Sequence, residues 1–502
     1  MKLLGRYADC CAGGGTKHRD PAGQGLVSIL AMIAAALASA VLLILGGCAS
    51  SAGIASVAQT IAPETAGLDS GAKTPELAAD WWRGFDEPAL NDLIERALAG
   101  NPTLKVAEAR MTRALAGVAS AQAAAGPQVN GELDVTRERL TKNSIYPPPL
   151  GGSIVTLANG QIGGSWELDF FGRNRAAIDA AIGTQRAAQA DVQAARILLA
   201  SSIARAYGQL GRLIGQREIA ERALKQREDM LSLTRQRVQG GLDTNVELRQ
   251  SEGTLPETRQ QIEQLDEQIA LTRHALAAFT AQPPGALDAL IVTLRSVKPI
   301  PVPAVVPADL LGRRADISAA RWRIEAAIGD MKNAKTQFYP NINLTAFIGL
   351  NSIGLSRFLQ ADSEQYGVGP AIRLPIFDSG RLRANLSGKA ADLDVAIEGY
   401  NVAVVDAVHD AADQLASLRS VAFQQAQQAI AQAAAESAYD LATQRYKAGI
   451  TNYLTVLNAE STVLSQRRQF VDLKARELDV QIALIRALGG GYVPDTQRLA
   501  QD

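Results

Sequence analysis

IFDSGRLRANL, from Ile376 to Leu386, joins an apolar, strand-like end to a glycine, an Arg-x-Arg pair and an alanine-rich helical tract. LDFFGRNRAAI, from Leu168 to Ile178, has the same order 208 residues earlier. That offset also places TRQRVQGGLDTNVELRQSE on ATQRYKAGITNYLTVLNAE, whereas upstream an offset of 213 places Pro127 on Pro340. A period this long exceeds those of solenoid repeats, so the sequence predicts two copies of a unit of about 180 residues.

The composition excludes several classes of protein. The 502 residues have a formal net charge of -1, so no basic surface for nucleic acid is expected. The cysteines all lie within the first 48 residues, which leaves none for a disulfide framework or a thiolate metal cluster in the rest of the chain. No Gly-rich phosphate loop or His-Glu-x-x-His motif is present, and His274 and His409 lie apart in helical tracts. We therefore predict that the protein is not an enzyme and has no cofactor.

The N-terminus is typical of a targeting segment. LVSILAMIAAALASAVLLIL, from Leu26 to Leu45, follows several basic residues and ends in LGGC. A retained membrane helix is one interpretation, because twenty apolar residues can span a bilayer. Small residues directly before Cys48 favour the other, a lipoprotein signal peptide over residues 1–47. Cys48 would then carry a covalent lipid such as palmitate, and Ala49 after it resembles lipoproteins sent to the outer membrane.

Each unit also has segments that alternate between apolar and polar residues, the pattern of a strand with two different faces. On this parity Glu167, Asp169 and Arg373 lie on the polar face. The strands could belong to an ordinary sandwich or to a membrane barrel with a polar lumen. Four strands cannot close a barrel, and open edges are not viable in lipid. A membrane location therefore requires several chains to share one barrel, and three is the smallest number that leaves a pore.

The helical tracts are too long for the core of a small domain. No proline occurs between Arg175 and Val238 or between Leu382 and Lys447. A tract of about 64 residues is about 96 Å long. Glycines near the end of each tract are common helix stops, and returning helices are predicted from Asn245 and Asn452. These are long helical hairpins.

Taken together, WWRGFDEPAL, the two Gly-Arg joints and RYKAGITNYLTVLNAE resemble the outer membrane factor family, the TolC-like channel-tunnels, most closely its lipoprotein branch. The resemblance implies a mainly α fold with a membrane β-barrel. In it, a homotrimer forms a twelve-stranded outer membrane barrel that continues into a periplasmic tunnel of twelve helices. It also implies a passive exit duct for small molecules, working with a periplasmic adaptor and an inner membrane resistance-nodulation-division pump. Two alternatives stay open: an exit duct for secreted proteins, and a lipid-anchored periplasmic coiled-coil adaptor.

We expect six segments along the chain. They are a signal peptide, a lipid anchor with an N-terminal equatorial segment, repeat 1, a Pro-rich equatorial linker, repeat 2 and a tail: 1–47, 48–100, 101–280, 281–313, 314–488 and 489–502.

The resemblance also assigns functions to residues. Gly172, Arg173, Gly380 and Arg381 lie at the strand-to-helix joints, and Gly240, Gly241, Gly449 and Ile450 lie at hairpin tips that face the adaptor. Leu454 and Asn458 would face the periplasmic constriction, with Arg445 and Tyr446 as latch residues. The family often has an acid where Asn458 stands, and Glu247, from the first repeat, could restore a negative ring. The alternative is that Leu454 and Tyr446 are ordinary interhelical packing residues.

Overall fold

The computed structural model describes residues 50–62, 77–143, 145–294, 298 and 310–493. Cys48 and the predicted signal peptide lie outside these ranges. The long helices are α1 (Pro88–Gly100), α2 (Pro102–Ala125), α3 (Arg173–Gln239), α4 (Asn245–Phe279), α5 (Ala315–Thr336), α6 (Arg381–Lys447) and α7 (Tyr453–Ala487). The strands are β1 (Gln128–Arg139), β2 (Ile154–Glu167), β3 (Asn341–Ile353) and β4 (Glu364–Arg373). Shorter helical turns cover Trp81–Phe85, Pro284–Leu287, Leu310–Arg313, Leu355–Arg357 and Ala361–Ser363.

The helices confirm the predicted hairpins and the duplication. The outgoing helices α3 and α6 each have 67 residues, and the returning helices α4 and α7 each have 35. Both outgoing helices start directly after a glycine with positive φ, 77° at Gly172 and 85° at Gly380. At 1.5 Å per residue α3 and α6 are each about 100 Å long. Within the part of the chain that the structure describes, no helix combines the length and apolar character needed to cross a membrane.

The strands form one antiparallel sheet in the order β1-β2-β3-β4. Its register confirms the predicted alternation, since Leu133, Ile162 and Ile348 share one face and Glu132, Gln161 and Thr345 share the other. Every residue of β1 is exposed, and β1 and β4 are the two edges of the sheet. One chain therefore builds a sheet with an apolar face and two unpaired edges.

The offsets found in the sequence hold throughout the sheet. In the β1–β2 ladder Ser165 pairs with Gln128. Shifting Ser165 by 208 gives Arg373, and shifting Gln128 by 213 gives Asn341; those two residues pair in the β3–β4 ladder. The two hairpins thus have the same register as well as the same order.

Two details of the predicted alternation were wrong. The alternation of apolar residues in the sequence, from Tyr366 and Val368 onwards, continues through Leu374 and Ile376 and predicts a longer strand, but β4 ends at Arg373. Pro375 lacks the N–H that would continue the ladder, which accounts for the early end. Asp169 was assigned to the polar face, but it lies beyond β2 and its carboxylate accepts a hydrogen bond of 2.9 Å from the Arg175 backbone N–H. Asp169 therefore caps the start of α3.

Near the middle of the molecule the long helices are covered by the segment before α1, by α1 and by the described part of the linker. Phe85, Ile94 and Tyr207 are almost completely buried there, together with Val292. The Tyr207 hydroxyl donates a hydrogen bond of 3.0 Å to the Glu87 carboxylate, and burial together with this bond raises the pKa of Tyr207. This cluster joins the N-terminal segment and the linker to both hairpins.

Helices α3 and α5 cross at unusually short range. A Cβ at Gly183 would lie 2.7 Å from the Ala326 backbone nitrogen, and a Cβ at Gly329 would lie 2.7 Å from that of Ala180. Only glycine at both positions permits this approach of the two backbones.

We predict that Gly183→Ala lowers the free energy of unfolding by about 1–3 kcal/mol, because backbone rather than a flexible side chain occupies the space. Thermal unfolding of the purified protein, followed by helix circular dichroism, measures the loss. Gly253→Ala is the control, since nothing lies within 4 Å of a Cβ there. It should stabilise α4 by about 0.5–1 kcal/mol. Equal midpoints for the two variants would contradict the prediction.

Candidate functional site at the hairpin tips

Both hairpins end in the same turn. The Leu242 backbone N–H donates to the Arg237 carbonyl and the Ile450 N–H donates to the Arg445 carbonyl, each at 2.8 Å. Gly241 and Gly449 have φ of 73° and 75°, as a Schellman helix end requires. The predicted tip glycines Gly240, Gly241 and Gly449 are thus the turn residues. The turns also present two exposed apolar side chains, the predicted Ile450 and its repeat counterpart Leu242.

A polar cluster ties the two hairpins together just above the tips. The Tyr446 hydroxyl, on α6, donates a hydrogen bond of 2.6 Å to the Asp243 carboxylate, in the turn of the first hairpin. The Arg237 guanidinium contacts the same carboxylate at 2.8 Å, donates to the Tyr446 carbonyl at 3.1 Å and lies 4.5 Å from the centre of the Tyr446 ring. Tyr446 is fully buried, and its hydroxyl also lies 3.1 Å from that of Thr234. We call Thr234, Arg237, Asp243 and Tyr446 the tip cluster.

The electrostatics of the tip cluster favour an ionised Asp243 and a neutral Tyr446. Burial raises the pKa of the Asp243 carboxyl, but hydrogen bonds from Arg237 and Tyr446 outweigh it and hold this pKa below its usual range. Burial, together with the hydrogen bond to Asp243, raises the pKa of Tyr446 to about 12. The charges and protons of the cluster are therefore fixed over the whole neutral range.

A second contact between hairpins lies further from the tips. The Arg227 guanidinium, on α3, contacts the Glu460 carboxylate of α7 at 3.1 Å. It also donates to the Thr258 hydroxyl at 2.7 Å and to the Thr254 carbonyl at 3.1 Å, both on α4. Pro256 lies between these two threonines and removes one backbone donor from α4. Arg227 thus connects three helices at the point where the ladder of α4 is interrupted.

The structure places the remaining predicted tip residues on the surface of this chain. Leu454 and Asn458 are exposed and lie one turn apart on α7, so they share a face. Arg445 is exposed beside Tyr446, and Arg237, its counterpart in the first repeat, makes the contact between hairpins. Glu247 accepts hydrogen bonds from the Thr244 backbone N–H and hydroxyl, and these bonds lower the pKa of Glu247. It is an ionised helix cap.

The strand-to-helix joints are held by short-range polar contacts. Arg173 lies 3.6 Å from the Glu167 carboxylate. In the second joint the Asp378 carboxylate accepts a hydrogen bond of 2.8 Å from the Leu382 backbone N–H, and the Asp378 carbonyl accepts one from the Arg381 N–H. These contacts start α3 and α6 directly after the sheet.

Residues 50–62 form an extended strap along α6. The Asp394 carboxylate accepts hydrogen bonds from the Ser56 hydroxyl and from the backbone N–H groups of Val57 and Ala58, at 2.6 to 3.0 Å. Arg383 donates to the Ser50 carbonyl, close to the second joint. The start of the strap at Ser50 therefore lies at the level where the sheet meets the helices.

The family described as outer membrane efflux protein matches residues 93–282 and 306–490, one stretch for each repeat. The chain belongs to the outer membrane efflux protein family. Fusaric acid resistance protein FusA of Burkholderia cepacia is 36% identical over 384 residues, which cover 74% of this chain and 71% of FusA. The putative multidrug resistance outer membrane protein MdtQ of Escherichia coli K12 is 33% identical over 420 residues, 82% of this chain and 88% of MdtQ.

Solved structures agree with this assignment. The outer membrane protein VceC of Vibrio cholerae is 33% identical and superposes with a TM-score of 0.78, covering 83% of this chain and all of VceC. The outer-membrane channel OprN is 27% identical, with a TM-score of 0.76, covering 88% of this chain and 98% of OprN. This outer membrane efflux protein is accordingly a channel-tunnel subunit of an efflux pump in the outer membrane. The family resemblance is confirmed, as is the predicted fold of one chain, a duplicated unit of strands and long helical hairpins of the channel-tunnel type.

Sequence reasoning missed five residues of the site: Thr234, Arg237, Leu242 and Asp243 at the tips, and Arg227 further from them. Arg237 and Leu242 could have been found by the offset of 208, which places them on Arg445 and Ile450. Asp243 and Arg227 had no such signal, because each also contacts a residue on the other hairpin, Tyr446 and Glu460 respectively.

We predict that the Tyr446 hydroxyl ionises at a pH well above that of an ordinary tyrosine. Because its pKa in the folded protein, about 12, exceeds the ordinary value, the contact with Asp243 stabilises fully below about pH 10. That stabilisation is lost as the pH rises through about 12. The ultraviolet absorbance of ionised tyrosine, in the wild type minus Tyr446→Phe, should show one titration at the raised pH. A difference curve centred near pH 10 would contradict the prediction.

Proposed function

We propose that three copies of the chain form the exit duct. The sheet supports this assembly, because an apolar face with two open edges is unstable in lipid unless other strands pair with both edges. Three four-stranded sheets supply twelve strands, enough for a barrel with a lumen. The three sets of long helices then continue the wall of the duct into the periplasm.

We propose further that the tip cluster keeps the periplasmic end of the duct closed. The observation that carries this proposal is the buried bond between Tyr446 and Asp243, which joins the first hairpin to the second. A displacement of the second hairpin has to break this bond and leave the ionised Asp243 with fewer donors. Such a loss costs about 1–3 kcal/mol, which is within reach of a binding partner. In the closed state Leu454 and Asn458 would narrow the opening, and Glu247 would supply negative charge.

A periplasmic adaptor would supply the binding energy at the tips. Leu242 and Ile450 are about two-thirds exposed at the ends of the two hairpins, which suits contact with a partner protein. An inner membrane pump of the resistance-nodulation-division type would deliver the substrates. The names of the relatives, which refer to multidrug resistance and to resistance to fusaric acid, favour small toxic molecules.

We also propose that Cys48 is the lipidated N-terminus of the mature chain. The strap ends two residues from Cys48, beside the second strand-to-helix joint. A lipid attached there lies at the base of the barrel, where acyl chains of the membrane are available.

Native mass spectrometry of the protein extracted from outer membranes in mild detergent should give a trimer of chains that begin at acylated Cys48. Cys48→Ser should remove the mass of the lipid. An unlipidated trimer would contradict the proposed lipid on Cys48 but not the shared barrel. A monomer that is stable without detergent would contradict the shared barrel.

We expect Asp243→Ala to open the periplasmic end, because Tyr446 and Arg237 lose the carboxylate that joins the hairpins. In planar bilayers its single-channel conductance should rise several-fold over the wild type. Arg235→Ala is the matched control, since Arg235 pairs with Glu252 within the first hairpin only. A conductance of Asp243→Ala equal to that of the control would show that the tip cluster does not hold the duct closed.

A further inference from the structure

The two edge strands of the sheet must pair with other chains if the proposed shared barrel is correct, and the inference below depends on that proposal. Edge β1 starts close to the helices at Gln128, and edge β4 ends close to them at Arg373. The two edges therefore run in opposite directions. An antiparallel ladder between β4 of one copy and β1 of the next continues the pattern of the sheet, in which every neighbouring pair is antiparallel.

The duplication fixes the register of that ladder. The sheet contains two kinds of interface: the hairpin interface, seen in β1–β2 and β3–β4, and the interface between repeats, seen in β2–β3. Adding 208 to the residues of β2 and 213 to those of β1 converts the β1–β2 pairing into the β3–β4 pairing with no change of register. In a closed ring, β4 of one copy lies beside β1 of the next copy in the same way as β2 lies beside β3 within one chain. The same shifts therefore convert the β2–β3 pairing into the pairing between copies.

In the β2–β3 ladder Ser165 pairs with Thr345. Adding 208 to Ser165 gives Arg373, and subtracting 213 from Thr345 gives Glu132. We infer that β4 of one copy pairs with β1 of the next in the register that places Arg373 opposite Glu132. The neighbouring pairs are then Ile372 with Leu133 and Ala371 with Asp134.

The chemistry of the two edges fits this register. Ile372 and Leu133 lie on the apolar face of their own sheets, so the lipid-facing surface continues across the boundary between copies. Arg373 and Glu132 lie on the polar face, and both are exposed in the single chain. Opposite charges directly across an antiparallel pair attract, whereas a slip of one residue would turn Ile372 to the polar face. A slip of two keeps the faces and places Arg373 opposite Asn130 or Asp134.

The register can be tested by exchanging the charges. Arg373→Glu and Glu132→Arg each place like charges opposite each other, so each should reduce the fraction of trimer that survives heating on native gels. The double variant Arg373→Glu/Glu132→Arg restores the attraction and should regain the lost trimer. Arg373→Glu combined with Asp134→Arg is the register control and should not regain it. Recovery in the control instead would overturn the inferred register.

Cysteine pairs give a second, geometric test. Residues directly opposite have Cα atoms about 4.5–5.5 Å apart, within reach of a disulfide, and a shift of two residues exceeds that reach. Arg373→Cys/Glu132→Cys should give covalent trimers under oxidation, whereas Arg373→Cys combined with Asn130→Cys or Asp134→Cys should not. Ser165→Cys/Thr345→Cys is the positive control, because it places the same pairing inside one chain. The described part of the chain has no cysteine of its own to interfere.

The outcomes separate the register from the assembly. Covalent trimers from a shifted pair, or none while the positive control closes and native mass spectrometry still shows a trimer, would overturn the register and leave the shared barrel standing. A monomer in native mass spectrometry of the wild type would overturn the assembly itself.

Discussion

Every backbone N–H and C=O in a lipid environment needs a partner, and this requirement decides what the rest of the chain has to do. A four-stranded sheet satisfies its inner strands and leaves β1 and β4 open. The duplication satisfies part of this requirement within the chain, because β2 of the first repeat pairs with β3 of the second. In the proposed trimer, other copies of the chain pair with the remaining edges. The sheet positions the starts of the two outgoing helices, since each of them begins a few residues after a strand ends.

The two repeats share their geometry and differ in their polar contacts. Both turns use a left-handed glycine and expose one apolar side chain. Tyr446, however, has Val238 as its counterpart in the first repeat, and Asp243 has Thr451. The hydrogen bond from the Tyr446 hydroxyl to Asp243 therefore runs only from the second repeat to the first. The opposite arrangement is not available to the same chain, so the tips form one kind of contact inside each copy.

Much of the fold could be predicted from the sequence, because the signals were periodic and local. The alternation of β3 and the proline-free tract of α3 each specify one element by themselves. Glu247 had a local signal too, since Thr244-x-x-Glu247 is the sequence pattern of a capping box, and the structure shows this cap. The partner of Tyr446 could not be predicted. Asp243 lies 203 residues away on another hairpin, and periodicity says nothing about which hairpins touch.

The duplication also determines how often each side chain occurs around the duct. Each feature exists in two versions within one chain, so a duct of three copies carries each version three times. Glu247 of the first repeat corresponds to Thr455 of the second, and Asn458 corresponds to Gln250. With Glu247 and Asn458 at the opening, as in the proposed trimer, acidic and neutral sectors alternate around it. A protein made of identical half-length units could only have a uniform ring, whereas the fused chain can adjust charge in alternate sectors while keeping one backbone geometry throughout.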